Sequence, residues 1–372
     1  MGFNASILSG KAYILMVLLQ FGYAGMYIIA VFSLKRGMSH YILVVYRNIS
    51  ATIFMAPLAY WFERKVRPRM TRSCFFKIVA LGLLEPVLDQ NCYYIGAKLT
   101  SASFTTALVN VLPAMTFVLA VILRMEKIKL KSIYTQAKIV GTVITVAGAL
   151  VMIMYQGPNL KFPWIDSAQQ TQEASDDQNG GDFVKGTIFL LTGCVCWASF
   201  FVLQSNTLES YPASMSLTTW ICLMGSIQSS ILTMVMERGS QVWVIGWDMR
   251  LFTAVYSGVI CSGIAYYVQG YVMKERGPVF VTAFSPLCMI IVAISGSIIL
   301  KEQISLGKFI GAMIIVIGLY ALIWAKSKDF ALEKLPTNIS KNMSTIELPA
   351  PKTIDNHDDT FFQTTTGKNL LP

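Results

Sequence analysis

The sequence predicts an all-α integral membrane protein, its ten transmembrane helices arranged as two inverted five-helix repeats. Three observations carry that expectation. The chain is 54% hydrophobic and only 13% charged, with a mean hydropathy of +0.56, whereas soluble chains are about 45–50% apolar. Apolar runs of about 20 residues, enough to cross about 30 Å of hydrocarbon as helix, recur near 12–33, 40–62, 75–96, 102–123, 134–155, 185–205, 214–236, 250–272, 279–300 and 305–325. The chain also repeats itself. "CYYIGAKLTSASFTTALVNVLP" at 92–113 is echoed by "AYYVQGYVMKERGPVFVTAFSP" at 265–286, which pairs Tyr93 with Tyr266, Tyr94 with Tyr267 and Pro113 with Pro286 at a shift of 173. "KIVGTVITVAGALVMI" from 138 matches "KFIGAMIIVIGLYALI" from 308, aligning Gly141 with Gly311 and Gly148 with Gly318 at a shift of 170. Five spans per copy is an odd number, so the second copy enters the membrane the other way up, related to the first by a pseudo-two-fold axis in the membrane plane.

Residues 1–10 precede the first span. "MGFNAS" fits a myristoylation pattern, but such an anchor is redundant on a ten-span chain and the match reads as accidental. Span one has no basic n-region or cleavage site and serves as its own insertion signal. Its Gln20, Tyr23, Ala24 and Tyr27 share a face. Span two carries Arg47, with His40 at its mouth, and leads into a loop with Arg64, Lys65, Arg67, Arg69 and Arg72.

Span three holds Glu85 and Asp89 in "LGLLEPVLDQNCYY". Each charge in a spanning helix costs at least about 2.5–3.5 kcal/mol, which makes both functional candidates. Pro86 cannot donate a backbone hydrogen bond and clashes with the carbonyl of Gly82, so a kink or opening is expected beside Glu85. Counting residues from the same membrane face sets Arg47 level with Asp89, as a structural or gating pair or as two substrate contacts. It leaves Glu85 deeper, with no basic residue at its depth, as the partner of a cationic substrate group or as a protonatable switch.

Span four presents Ser103, Thr106, Asn110, Ala114 and Phe117 on one face and Pro113 near its middle; its repeat partner, span nine, has Thr282, Ser285 and Pro286. Such stripes pack helices as readily as they bind ligands, and Asn110 is the member put forward as a site residue. Gly141 and Gly148 of span five, with Gly311 and Gly318 of span ten, are close-packing positions. A polar linker, 155–185, separates the first repeat (11–154) from the second (186–325).

In the second repeat Trp197 of span six, and Gly258, Ser262, Tyr266 and Gln269 on one face of span eight, face a central cavity or else an interhelical seam. Cys194 and Cys196 resemble a metal pair, yet residues two apart point to different sides of a helix. With Cys74, Cys92, Cys222, Cys261 and Cys288 they read as small apolar residues. The tail, 326–372, is polar and aperiodic and is expected to be a disordered cytoplasmic segment, leaving the sequons at Asn338 and Asn342 unused; it also holds His357.

Orientation follows from the basic residues. In the first half, nine Lys and Arg residues sit in the loops after spans two and four, including Arg124, Lys127, Lys129 and Lys131, against three (Lys35, Arg36, Lys98) after spans one and three. The positive-inside rule then sets both termini in the cytoplasm and accounts for the net charge of +10 without a nucleic-acid partner.

With these residues placed, the chain resembles the plant UMAMIT family, or walls-are-thin related transporters, with two EamA-type repeats of the drug/metabolite transporter superfamily. The resemblance rests on "LQFGYAGMYIIA" (19–30), "YRNISATIFMAP" (46–57), "LGLLEPVLDQNCYYIG" (81–96), "LPAMTFVLA" (112–120), "AKIVGT" (137–142), "VICSGIAYYVQG" (259–270) and "RGPVFVTAFSPL" (276–287). It implies alternating-access movement of amino acids or related organic acids, auxin among them, at the plasma or vacuolar membrane. It also implies peripheral spans five and ten and a cavity between the halves. The substrate-binding set expected on this reading is Glu85, Asp89, Asn110, Arg47, Tyr266, Gln269, Ser262, Tyr23 and Trp197. No cofactor or metal is implied, and proton coupling and oligomeric state are left open. An embedded enzyme using the two acids as acid and base, or a scaffold, is the weaker alternative, because no nucleophile, metal cluster or nucleotide loop accompanies them.

Overall fold

The structure is a computed structural model that describes residues 2–35, 37–100, 105, 108–125, 132–155, 158, 180–239, 243–299 and 306–333. The chain divides into two units, Met1–Ala331 and Leu332–Pro372; of the second, only residues 332 and 333 are described. Several sequence expectations fall outside the described residues. These are Met1, Arg36, Ser103, Thr106, Lys127, Lys129, Lys131, most of the linker, and the tail beyond Glu333 with its sequons and His357. The expected aperiodic tail is corrected at its start, because residues 326–333 continue the last helix.

The described residues are helical, with no strand among them. In chain order the elements are α1 (Gly2–Lys35), α2 (His40–Glu63), α3 (Arg72–Gly82), the π-helical segment π1 (Leu83–Asp89), α4 (Gln90–Leu99), α5 (Leu112–Ile122), α6 (Ile133–Met154), α7 (Gly180–Ser210), α8 (Ser214–Met236), α9 (Met249–Tyr256), π2 (Ser257–Ile264), α10 (Ala265–Arg276), α11 (Pro278–Thr282), α12 (Ser285–Ile299) and α13 (Leu306–Glu333). Five helices are long and apolar enough to cross a bilayer: Gly10–Ala30, His40–Glu63, Gly181–Ser210, Ser214–Met236 and Met249–Arg276. The expectation of ten rests on more than these. The α3–π1–α4 run carries Glu85, Asp89 and Lys98, which lower its hydropathy. The apolar stretches Leu112–Ile122, Pro278–Val292 and Phe309–Ala325 are shorter.

The helix carrying Pro113 and its repeat partner break at matching places. A turn at Asn110 and Val111 precedes α5, and a turn at Ala283 and Phe284 precedes α12. Each lies just before its proline, whose ring cannot supply the backbone donor that would carry the helix through and is accommodated in the first turn of the helix that follows.

The centre of the molecule is the pair α2 and α8. Ser39, just before α2, donates its hydroxyl to Glu237 at the end of α8 (2.7 Å). At the other end, Glu63 of α2 accepts the backbone N–H groups of Met215 (3.0 Å) and Ser216 (2.7 Å) in the first turn of α8. The carboxylate satisfies two donors that have no partner within the helix and complements the positive end of its dipole. The start of each helix therefore meets the end of the other, and the two run antiparallel.

Around this pair the π segments are exchanged between halves. π2 packs on α2 and π1 packs on α8. A methyl at Gly225 of α8 would stand 2.8 Å from Cβ and Cγ of Pro86, and one at Gly258 of π2 would meet the carbonyl oxygen of Arg47 and, at 2.7 Å, Cβ of Ser50. Both positions need glycine, because the backbone of α2 touches Gly258 and the rigid ring of Pro86 touches Gly225. At the periphery, α6 and α13 meet in the same way: a methyl at Gly141 would stand 2.8 Å from the carbonyl oxygen of Gly318, and one at Gly148 would lie 3.0 Å from that of Gly311. The lateral surface is apolar, with Phe21, Ile53, Phe76, Val143, Ile188, Ile231 and Ile317 exposed.

Candidate functional site

π1 forms because the ring of Pro86 removes one rung of the helix ladder and excludes the carbonyl four residues earlier. The widened turn buries Glu85 rather than leaving it on a lipid-facing surface. Single-turn π segments recur at functional sites because they aim side chains that a regular helix would not. π2 occupies the matching place in the second half: a shift of 173 carries residues 83–89 onto 256–262, which overlaps Ser257–Ile264.

Arg47 joins the two segments. Its Nη2 lies 3.6 Å from Oε1 of Glu85 in π1, and its Nε donates to Oγ of Ser262 in π2 at 2.7 Å. Glu85 is held from two further directions: Gln90 Nε2 donates to Oε1 at 3.1 Å, and the hydroxyl of Tyr266 donates to Oε2. Arg47 and Glu85 are both buried, and a buried ion pair persists only when its remaining lone pairs and protons are also bonded. Gln269 supports this layer by donating to the hydroxyl of Tyr23 at 3.0 Å.

The expected register of charges is corrected here. Arg47 pairs with Glu85, not with Asp89, so Glu85 does have a basic partner. Counting residues at a uniform helical rise failed because the wider π turn lies between the two acids. It turns Asp89 toward α7, where Oδ1 lies 3.2 Å from the place a methyl at Gly193 would occupy. No hydrogen bond or ion pair holds the Asp89 carboxylate among the described residues.

Beside these groups is a cavity of about 50 Å³, lined among others by Tyr23, Tyr27, Arg47, Glu85, Asp89, Gln90, Tyr93, Tyr94 and Trp197. Of the residues expected from sequence, Tyr23, Arg47, Glu85, Asp89 and Trp197 line it. Ser262, Tyr266 and Gln269 stand one layer behind, each bonded to a lining side chain. Asn110 is buried at the turn before α5 and is not part of the lining, although its neighbour Val109 is. Gln90, Tyr93, Tyr94 and Gly193 also line the cavity and were not among the residues expected there from sequence. Tyr93 follows Asp89 by four residues, and that spacing was the available signal. Oε1 of Gln90 is buried without a hydrogen-bond partner among the described residues.

A lipid-facing apolar shell, antiparallel central helices, paired interrupted helices and a buried, charged cavity define a multi-pass membrane transporter. The comparisons with known proteins agree. The chain matches the EamA-like transporter family over residues 10–154 and 184–324, and it belongs to that family. Plant relatives are close. One WAT1-related protein of Arabidopsis thaliana (At2g39510) is 55% identical over 320 residues, 86% of each chain, and another (At4g08290) is 49% identical over 350 residues, 94% of this chain and 91% of the relative. A solved crystal structure shares the fold at 14% identity, with a TM-score of 0.61 over 85% of this chain and 99% of the other. Within the two matched stretches α2 and α8 are each the second helix.

Proposed function

We propose that this transporter carries amino acids by alternating access, the ammonium group held at Asp89 and the carboxylate directed to Arg47. The observation that carries the reading is the unequal pairing around the cavity. Arg47 and Glu85 neutralise each other, while Asp89 faces the same space without a partner among the described residues. With all three ionised, the cavity keeps one uncompensated negative charge, which is costly at this depth and favours a cation. A substrate ammonium supplies that cation, and the free acceptor of Gln90 adds a second contact for it. Arg47 has five N–H donors and spends only some of them on Glu85 and Ser262, so it retains donors for a carboxylate.

A cavity of about 50 Å³ is far below the roughly 300–1,000 Å³ of a pocket enclosing a drug-sized ligand. Loading therefore takes place in a conformation in which the halves have moved apart. We place ten crossings in the membrane, in two inverted sets, with both termini in the cytoplasm and the protein in the plasma or vacuolar membrane.

A second reading has its own support. The ring-rich wall of Tyr23, Tyr27, Tyr93, Tyr94 and Trp197 suits an aromatic acid such as an indole acid, and a proton on Asp89 would then replace the ammonium. A counterflow panel of labelled amino acids and indole acids in proteoliposomes, run with and without a pH gradient, separates the two. In the amino-acid reading Asp89→Asn removes a charged hydrogen bond, about 1.5–3 kcal/mol or roughly ten- to a hundredfold in apparent affinity. Wild-type amino-acid counterflow by Asp89→Asn would end the ammonium assignment.

A further inference from the structure

A second cleft lies at the end of the molecule remote from the start of α2. It has a volume of about 260 Å³ and is lined by Arg64, Arg67, Pro68, Arg69, Met70, Tyr211 and Trp220. We propose that it binds a phosphate-bearing anion, and specifically the headgroup of an anionic lipid.

The local chain builds the cleft. The N–H groups of Val66 and Arg67 both bond to the carbonyl of Glu63 (3.1 and 2.9 Å), which closes the last turn of α2 and folds the loop back. Pro68 restricts the next step, so Arg67 and Arg69 line the same hollow as Arg64. None of the three guanidinium groups has a carboxylate within salt-bridge reach among the described residues. The nearby acid, Glu63, directs both carboxylate oxygens to the first turn of α8 through Met215 and Ser216 and forms no ion pair with the three arginines. Arg64 rests on the Tyr60 ring, 5.2 Å from its centroid, a contact that helps hold it in place.

The size of the charge selects the ligand class. A single carboxylate balances one guanidinium, whereas a phosphomonoester carries about −1.5 to −2 and offers three acceptor oxygens suited to bidentate arginine. The surroundings favour a lipid as its carrier. Tyr60, Trp61 and Phe62 are exposed (59, 83 and 66%) on the last turn of α2, directly before the loop, and Val66 and Met70 within it are exposed as well. Aromatic side chains at such a position mark the headgroup level of a bilayer. The cleft therefore sits where a headgroup resides, at the end that the positive-inside rule assigns to the cytoplasm, the side of the anionic leaflet. Topology alone asks only for basic residues in the loop. What distinguishes this loop is that three of its exposed arginines line one half-open cleft together with Tyr211 and Trp220.

The test uses the purified full chain in neutral detergent. All seven cysteines are free and six are buried, so a thiol-reactive dye reports unfolding directly. The chain is titrated separately with a short-chain phosphatidylinositol monophosphate, a short-chain phosphatidylcholine and inorganic phosphate. The expected result is a saturable rise in unfolding temperature with the phosphoinositide alone, its apparent affinity weakened roughly tenfold or more in Arg67→Gln/Arg69→Gln. The same pattern with inorganic phosphate supports the anion site and assigns it a soluble ligand. An equal response to phosphatidylcholine, an undiminished response in the double variant, or no response to any probe overturns the site. Should the double variant not fold, Arg67→Gln alone carries the test, and an undiminished response there overturns the site. The cavity residues are untouched by either variant, so amino-acid counterflow in phosphatidylcholine vesicles is expected to match wild type, separating this site from the transport reading.

Discussion

Glu85 and Asp89 are four residues apart on one interrupted helix and do different work. Glu85 is part of the scaffold, bonded by Arg47, Gln90 and Tyr266. Asp89 faces the cavity without a partner among the described residues. The difference predicts opposite phenotypes. Glu85→Leu strands the Arg47 guanidinium in an apolar interior, and removing one partner of a buried pair costs about 3–5 kcal/mol; a large fall in unfolding temperature is the expected reading. Adding Arg47→Met should recover much of that loss, because replacing both partners removes the uncompensated charge. A double variant no more stable than Glu85→Leu would show that the pair is not the energetic unit described here. Asp89→Asn, by contrast, is expected to leave the unfolding temperature near wild type and to act on transport.

At the scale of elements, the glycine contacts fall into two classes with separable consequences. Gly225 lets α8 lie against the rigid ring of Pro86, beside the site, whereas Gly141 lets α6 lie against the backbone of α13. Adding a methyl at either place forces the helices apart, at a typical cost of about 1–3 kcal/mol. Both alanine variants are expected to unfold at lower temperature. Gly225→Ala should also reduce transport rate, because it shifts the segment that carries Glu85. Gly141→Ala should leave the substrate concentration for half-maximal transport unchanged, and a large change there would contradict a peripheral role for α6 and α13.

Whether an element was readable from the sequence depended on what caused it. The opening at π1 was legible, because proline breaks a ladder wherever it stands in a helix. Its counterpart π2 was not: "SGVICSGI" contains no proline, and the close seat of Gly258 on the backbone of Arg47, a tertiary contact, is what accompanies the widening there. The glycine contacts between α6 and α13 were legible from the repeat itself, whereas the seat of Gly225 on Pro86 was not. Within the cavity lining, Tyr23, Tyr27, Arg47, Glu85, Asp89 and Trp197 were legible as charge or aromatic character within apolar spans. The pairing of Arg47 was not, since a register counted at constant rise cannot anticipate a turn that holds an extra residue. Asn110, put forward for its depth, lies buried at a helix break beside the lining residue Val109 and outside the lining itself.

At the scale of the whole molecule, the two halves share their architecture and differ in their charge. The repeat sets Gly258 and Ser262 of the second half where the first has Glu85 and Asp89, and Arg47 reaches from one segment to the other. Substrate bound at that junction must act on both π segments together. Hydrogen exchange followed by mass spectrometry is expected to show residues 83–89 and 257–264 exchanging faster than their flanking helices and slowing in concert when a transported amino acid is added. Slowing confined to one segment would contradict a shared response.

The hydrogen bonds at the two ends of the α2 and α8 pair bear on how such motion is controlled. The helices are 24 and 23 residues long, so at 1.5 Å per residue their ends lie roughly 35 Å apart, close to opposite membrane surfaces. Ser39 and Glu237 close one end, and Glu63 with Met215 and Ser216 closes the other. Parting the helices at one surface breaks the bond there and can leave the far one intact. Each end of the pair thus carries its own carboxylate clasp, and one can be undone while the other holds.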